Sequence, residues 1–241
     1  MTGTPTGQLY LIPVSLGEAP CSTTVPDEVR RITGTITDFI VENAKTARQE
    51  LKRLGHPGPL HTLDITALED TLDDTGLDAL LAPALKDGRN IGLMSEAGCP
   101  AVADPGARLV ARAHVLGVPV RPLVGPSSIL LGLMGSGLNG QSFAFHGYLP
   151  VDEAALARRL RELENESRAH GRTQLFIETP YRNERLYRTL VATCHPGTRL
   201  CLAKNLTTAE EWIQTRSIGA WRREPAPSLA RQPTLFLLLA S

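Results

Sequence analysis

The chain has no net charge: 25 Lys and Arg balance 25 Asp and Glu over 241 residues. That balance excludes a histone-like or tail-driven nucleic-acid binder, while a local basic patch stays open to it. Cysteine is scarce. Cys21, Cys99, Cys194 and Cys201 form no C-x-x-C pair, and no His/Cys cluster has zinc spacing. A reduced, cytosolic protein with no metal site is therefore expected. No apolar run approaches the roughly 18 residues of a membrane span. The N-terminus has neither the basic start nor the apolar core of a signal peptide. There is no internal repeat or low-complexity tract. The six histidines are scattered and suggest solvated or satisfied side chains, not a triad.

What is present is an alternation of short apolar runs with helical patterns. Gln8 to Val14 reads as a first strand, followed by a long small-residue loop without a helix. Asp38 to Asn43 reads as a second strand running into a helix that Gly55 should end. A peripheral third strand is expected in LHTLDI, then a helix over LDALLAPALKDG that Pro83 should kink or bound. NIGLMS is a fully apolar strand. The next helix should take Asp104 as N-cap, Pro105 as first residue and Gly117 past its end. VPVRPLV and PSSILLGLMGSG complete the series as strand and helix. This order implies βαβ units and a mostly parallel sheet, which binds ligands beyond the carboxyl ends of its strands.

LNGQS, residues 138–142, has linker composition. Beyond it come a strand in FAFHGYL, a long polar helix over DEAALARRLRELENESRAHG, and further strands in TQLFIET, TRLCLAKNL and PTLFLLLA. TTAEEW carries a capping-box pattern, yet EWIQTRSI fits a strand equally, so that segment stays open on local grounds. Residues 1–150 carry 11 basic and 15 acidic side chains, net −4; residues 151–241 carry 14 and 10, net +4.

GSGLNG, Gly135 to Gly140, matches G-x-G-x-x-G but follows a helix and precedes a strand. It reads as a helix end and hinge, not a dinucleotide site. Three other loops suit a ligand better: PVSLGEAP after the first strand, SEAGCPAVADPG after NIGLM, and LVGPSSI. Small residues let a ligand approach main-chain amides and carbonyls closely. Each loop also reads as an ordinary strand-to-helix connection with a cap such as Ser127 or Ser128.

SEAGCPAVADPG resembles the S-D/E-A-G-x-P-x-x-x-D-P-G loop of the class III, tetrapyrrole-methylase-type methyltransferases that use S-adenosylmethionine (SAM). Within that class, GQLYLIPVSLG, VRPLVGPSSI, FAFHGYLP, LFIETPYRN and LAKNLTTAEE resemble, in order and spacing, segments of the ribosomal RNA small subunit methyltransferase I branch. The similarity covers essentially the whole chain.

The resemblance implies a two-domain α/β tetrapyrrole methylase-like fold. A parallel-sheet N-terminal domain would span residues 1–139 and a mixed-sheet C-terminal domain residues 140–241. SAM would be bound between them by a homodimeric enzyme. By position it implies cofactor contacts at Pro13, Ser95, Glu96, Ala97, Ser127, Ser128, Glu178 and Leu206, with Arg182 and Lys204 near a phosphate-bearing substrate. Two positions depart from the branch: Glu18 stands where Asn is usual, and Asn43 replaces an acid.

The expected activity is methylation of RNA, ribosomal RNA in particular, at the ribose 2′-hydroxyl. That hydroxyl is a poor nucleophile and requires orientation and a proton acceptor. Glu18, Glu42 and Glu178 are the candidate acceptors. A tetrapyrrole or other small-molecule acceptor, and a non-catalytic SAM-binding protein, are the alternatives.

Overall fold

Five short strands organise the first half, and their composition explains their order. β1 (Leu9–Leu11), β2 (Asp38–Val41), β3 (Asp64–Ala67), β4 (Ile91–Met94) and β5 (Val120–Pro122) pair in parallel as β3-β2-β4-β1-β5. β2 and β4, buried along their whole length, lie inside the sheet, while the largely exposed β3 takes an edge. Successive side chains on a strand point to opposite faces. Thus Tyr10, Ile12, Phe39 and Val41 pack on one side, and Leu9, Leu11 and Ile40 on the other. The first side is covered by α2 (Asp27–Thr33), which follows the single-turn α1 (Cys21–Thr24), and by α3 (Ala44–Leu54). α4 (Asp74–Asp87) and α5 (Ala107–Val115) cover the second.

This computed structural model describes residues 6–240, and the chain divides into two compact units, Met1–Ser127 and Ser128–Ser241. The second unit opens with α6 (Ser128–Ser136). There follow β6 (Phe143–Tyr148), α7 (Glu153–His170), β7 (Thr173–Ile177), α8 (Asn183–Thr193), β8 (Arg199–Lys204), β9 (Trp212–Ser217), α9 (Ile218–Trp221) and β10 (Thr234–Leu239). The sheet runs β6-β7-β10-β8-β9; β6 and β7 are parallel and the other pairs antiparallel, the mixed sheet expected. Its core joins Phe176, Phe236 and Trp221 to Leu156, Leu160 and Leu163 of α7. α6 lies close on the sheet: a Cβ on Gly132 would meet Leu235 at 2.5 Å, and one on Gly135 would meet Ile213 at 2.5 Å. Gly135 and Gly137 of GSGLNG therefore belong to a helix and its end, with Gly137 at φ +65°, and Gly140 lies in the connection that follows.

Several local expectations change. The segment after β1 is not free of helix: Pro20 and Pro26 each precede a short one, and α2 has acids Asp27 and Glu28 in its first turn and Arg30 and Arg31 in its last. Charges so placed complement the helix dipole. The small apolar content hid it, since only Val29 and Thr33 are buried. Asp104 does not cap α5. Gly106, at φ +125°, turns the chain so that the helix starts at Ala107, with no side-chain hydrogen bond capping it. α4 continues through Pro83 to Asp87, the Pro83 carbonyl accepting from the amides of Gly88 and Arg89. EWIQTRSI is a strand, because Trp212–Ser217 finds an open partner in β8.

Candidate functional site

The three loops singled out by composition follow β1, β4 and β5, and they are tied to one another. Val14 and Gly98 exchange backbone hydrogen bonds of 2.8 and 2.9 Å. The Cys99 thiol donates to the Pro126 carbonyl at 3.5 Å. Pro13 packs against Gly125 so closely that a Cβ at 125 would sit 2.2 Å from the Pro13 Cβ. Glycine is favoured at 98 by its φ of +73° and required at 125 by this approach. Ala101 and Ala103 also adopt left-handed φ of 65°, so the β4 loop is held in a conformation that costs energy at non-glycine residues.

Within that knot, Ser95 is buried and donates to the Ala97 carbonyl at 3.2 Å, whereas Glu96 and Ala97 are exposed. The Glu96 amide donates to Glu42 Oε2 at 3.1 Å, and Glu96 Oε1 accepts from Thr46 Oγ1 at 3.4 Å. Glu42, just beyond β2, is half-buried. Burial pushes its carboxyl above the usual range; the Glu96 amide partly offsets this, and the nearby charges of Asp104, Glu96 and Asp70 add to the rise. Asp104 is raised for the same first reason, with Ser95 opposing and Glu96 adding. The carboxyl end of this sheet is therefore acidic, and Glu42 and Asp104 hold protons more tightly than free carboxylates do. Among the described residues, no group of three or more His, Cys, Asp or Glu is placed to hold a metal ion.

Beside the knot lies an open groove of about 840 Å³, bounded by Leu16, Glu18, Thr46, Gln49, Glu96 and Ala97. Its β1-loop wall is held by α3. The buried Glu50 carboxylate accepts from the Ser15 amide at 3.0 Å and the Ser15 hydroxyl at 2.6 Å. It also pairs with Arg53 at 2.9 Å, and Arg53 in turn donates to the carbonyls of Gly17 and Ala19. Composition gave no hint of this clamp, because an i, i+3 Glu–Arg pair on a helix reads as a solvated face. Asn43 caps α3, accepting from the amides of Lys45 and Thr46. An aspartate would cap equally well, so the amide keeps the helix start and omits a charge.

The remaining sequence-predicted residues lie in the second unit, which Ser128 opens as the first residue of α6, apart from Ser127, the last residue of the first unit. Glu178, beyond β7, is nearly buried; it accepts from the Thr179 amide at 2.6 Å and from Arg182 Nη2 at 2.7 Å. The Arg182 guanidinium is thereby held as an ion pair, and the Glu178 hydrogen bond raises its pKa. Lys204 donates to the Ser228 carbonyl at 3.2 Å and lies 5.5 Å from the Trp212 ring centroid. Leu206 is buried between Asn205 and Thr207, whose φ values are 50° and 70°.

No family model matches the chain. Individual relatives do. It is 30% identical over 221 residues to "Ribosomal RNA small subunit methyltransferase I" of Escherichia coli O157:H7, covering 90% of this chain and 73% of that protein. It is 32% identical over 234 residues to the protein of the same name from Xylella fastidiosa (strain Temecula1 / ATCC 700964), covering 97% and 81%. Among solved structures, "Crystal structure of the methyltransferase CobJ" matches with a TM-score of 0.64 at 19% identity, covering 98% of this chain and 95% of that one. At that identity the match speaks for the fold alone.

Proposed function

From the premise that this chain belongs to the ribosomal RNA small subunit methyltransferase I family, and is a methyltransferase, we propose that it methylates ribosomal RNA of the small subunit, at a ribose 2′-hydroxyl, with SAM as donor. The knot of three loops at the carboxyl end of the parallel sheet carries the cofactor reading. Its residues fit such a ligand. Glu96 and Ala97 are exposed residues on the loop, the neighbouring groove is within the size range of small-molecule sites, and Glu42, Glu96 and Asp104 complement a cation. Bound SAM would supply a methyl group on a positively charged sulfur. Pro13, Ser95, Glu96, Ala97 and Ser127 of the first unit would hold it; Ser128, Glu178 and Leu206 stay the second-unit positions that the family resemblance implies.

The chain's own task is to orient the ribose and accept its proton. Of the three candidate acids, Glu178 is engaged by Arg182 and Thr179, and Glu18 is exposed on the groove rim. Glu42 is half-buried with raised proton affinity, and we assign it the acceptor role. Lys204, which has no carboxylate partner among the described residues, and Arg182 would face phosphate.

A ribosomal substrate places the enzyme in the cytoplasm, and we propose that it acts as a homodimer. No described helix is long and apolar enough to cross a membrane. The deciding experiment is methyl transfer from labelled SAM to small ribosomal subunits, with free RNA and porphyrinogens as comparison acceptors. Label should enter subunit RNA and resist base removal; label in porphyrinogens alone would overturn the reading. Calorimetry in EDTA should show SAM binding without metal.

A further inference from the structure

Aromatic residues are few in this chain, four Tyr, two Trp and five Phe. Phe39, Phe176, Phe236, Tyr187 and Trp221 are buried. Two tyrosines are conspicuously outside: Tyr148 is 59% and Tyr181 82% exposed. They belong to the same end of the second sheet. β6 and β7 are parallel, and Tyr148 stands in register with Ile177, the last residue of β7; Tyr181 lies in the turn that follows. The pairing runs Phe145 to Leu175 and then Tyr148 to Ile177, so β6 carries one extra residue, with Gly147 at φ +62°. Such a bulge re-aims the side chains beside it.

Three arginines lie nearby, of which Arg182 is paired with Glu178. Arg182 adjoins Tyr181 and lies within electrostatic reach of the Tyr148 phenol. Arg185 donates to the Val151 carbonyl, just past Tyr148, and the Arg231 amide donates to the Pro180 carbonyl, just before Tyr181. Neither Arg185 nor Arg231 has a carboxylate partner among the described residues.

We propose that Tyr148 and Tyr181, with Arg182, Arg185 and Arg231 around them, form a stacking platform for unpaired bases of single-stranded RNA. The inference rests on the RNA reading above and names how the RNA is gripped. Every base has a π-face that a tyrosine ring can cover, and the arginines match the phosphates between bases. The hydrogen bonds from the Arg185 guanidinium to the Val151 carbonyl and from the Arg231 amide to the Pro180 carbonyl hold the loops that carry the rings, so the platform is ordered before RNA arrives.

The test uses the full chain with a labelled single-stranded RNA containing 2-aminopurine, the same sequence as a duplex, and small subunits for methyl transfer. Tyr148→Ala and Tyr181→Ala should each weaken single-strand binding by roughly 5- to 100-fold, the loss of one stacked base. Both should abolish 2-aminopurine quenching and leave SAM affinity unchanged, which also reports folding. Tyr→Phe at either position should restore binding. Unchanged affinity in the alanine variants, failure of phenylalanine to restore it, or equal preference for duplex would overturn the platform. So would a shift of sedimentation from dimer to monomer with RNA binding intact, which would make the patch a contact between copies. Wild-type methylation of subunits with an unchanged KM in both variants removes the platform and leaves the RNA reading standing. Tyrosine-dependent quenching without methyl transfer to any RNA does the reverse.

Discussion

Replacing Gly125 by alanine should damage SAM binding through Pro13. Ordinary contact begins near 3.4 Å, and the added Cβ would meet the Pro13 Cβ at 2.2 Å and its Cγ at 2.3 Å. The loops after β5 and β1 must therefore part by more than an ångström, because a proline ring has no rotamer into which to retreat. Overpacking of this kind costs about 1–3 kcal/mol, or roughly 2–12 °C in melting temperature for a chain of this size. The same displacement moves Pro13 away from the knot, so SAM affinity should fall at least about tenfold. Gly117→Ala is the matched control. Gly117 has φ +74° with nothing within 4 Å of its Cβ position, so alanine there adds about 1–2 kcal/mol of backbone strain and no clash. It should melt early yet bind SAM normally in calorimetry. A Gly125→Ala protein with wild-type melting and wild-type affinity would refute the close approach and the place of these loops in the site.

Ala97→Leu should abolish SAM binding in calorimetry while leaving the melting temperature near wild type, since Ala97 is exposed beside the groove. Glu50→Ala orphans the buried Ser15 donors and should cost about 1–3 kcal/mol, measured by urea unfolding. Glu42 has a folded pKa raised above the ordinary 4.5, so its contribution is full at acid pH and is lost as pH rises through that value and beyond. Glu42→Gln should accordingly raise the melting temperature at pH 7 relative to wild type, change it little near pH 4, and abolish methyl transfer.

The parts legible in the sequence are those where a residue type has one strong physical reason. Gly98, Pro13 and the small residues of SEAGCPAVADPG announced loops at strand ends, and the apolar NIGLM announced an interior strand. What composition hid depends on tertiary partners. Asp104-Pro105 looks like a helix start until Gly106 turns the backbone and delays the helix to Ala107. Glu50 and Arg53 look solvated until the β1 loop folds over them. Arg182 reads equally as a phosphate ligand or an ion-pair partner, and only the position of Glu178 shows where its Nη2 is engaged.

The Glu50 clamp also affects how the first unit opens. The Ser15 amide is held by a side chain of α3 and not by a neighbouring strand. Its exchange with solvent deuterium is then governed by α3: when that helix frays, the carboxylate leaves and the loop from Ser15 to Ala19 is released with it. Helix and loop form one cooperative opening unit. The Ser15 amide should share the protection factor of the α3 amides, and the groove wall should loosen whenever the helix does.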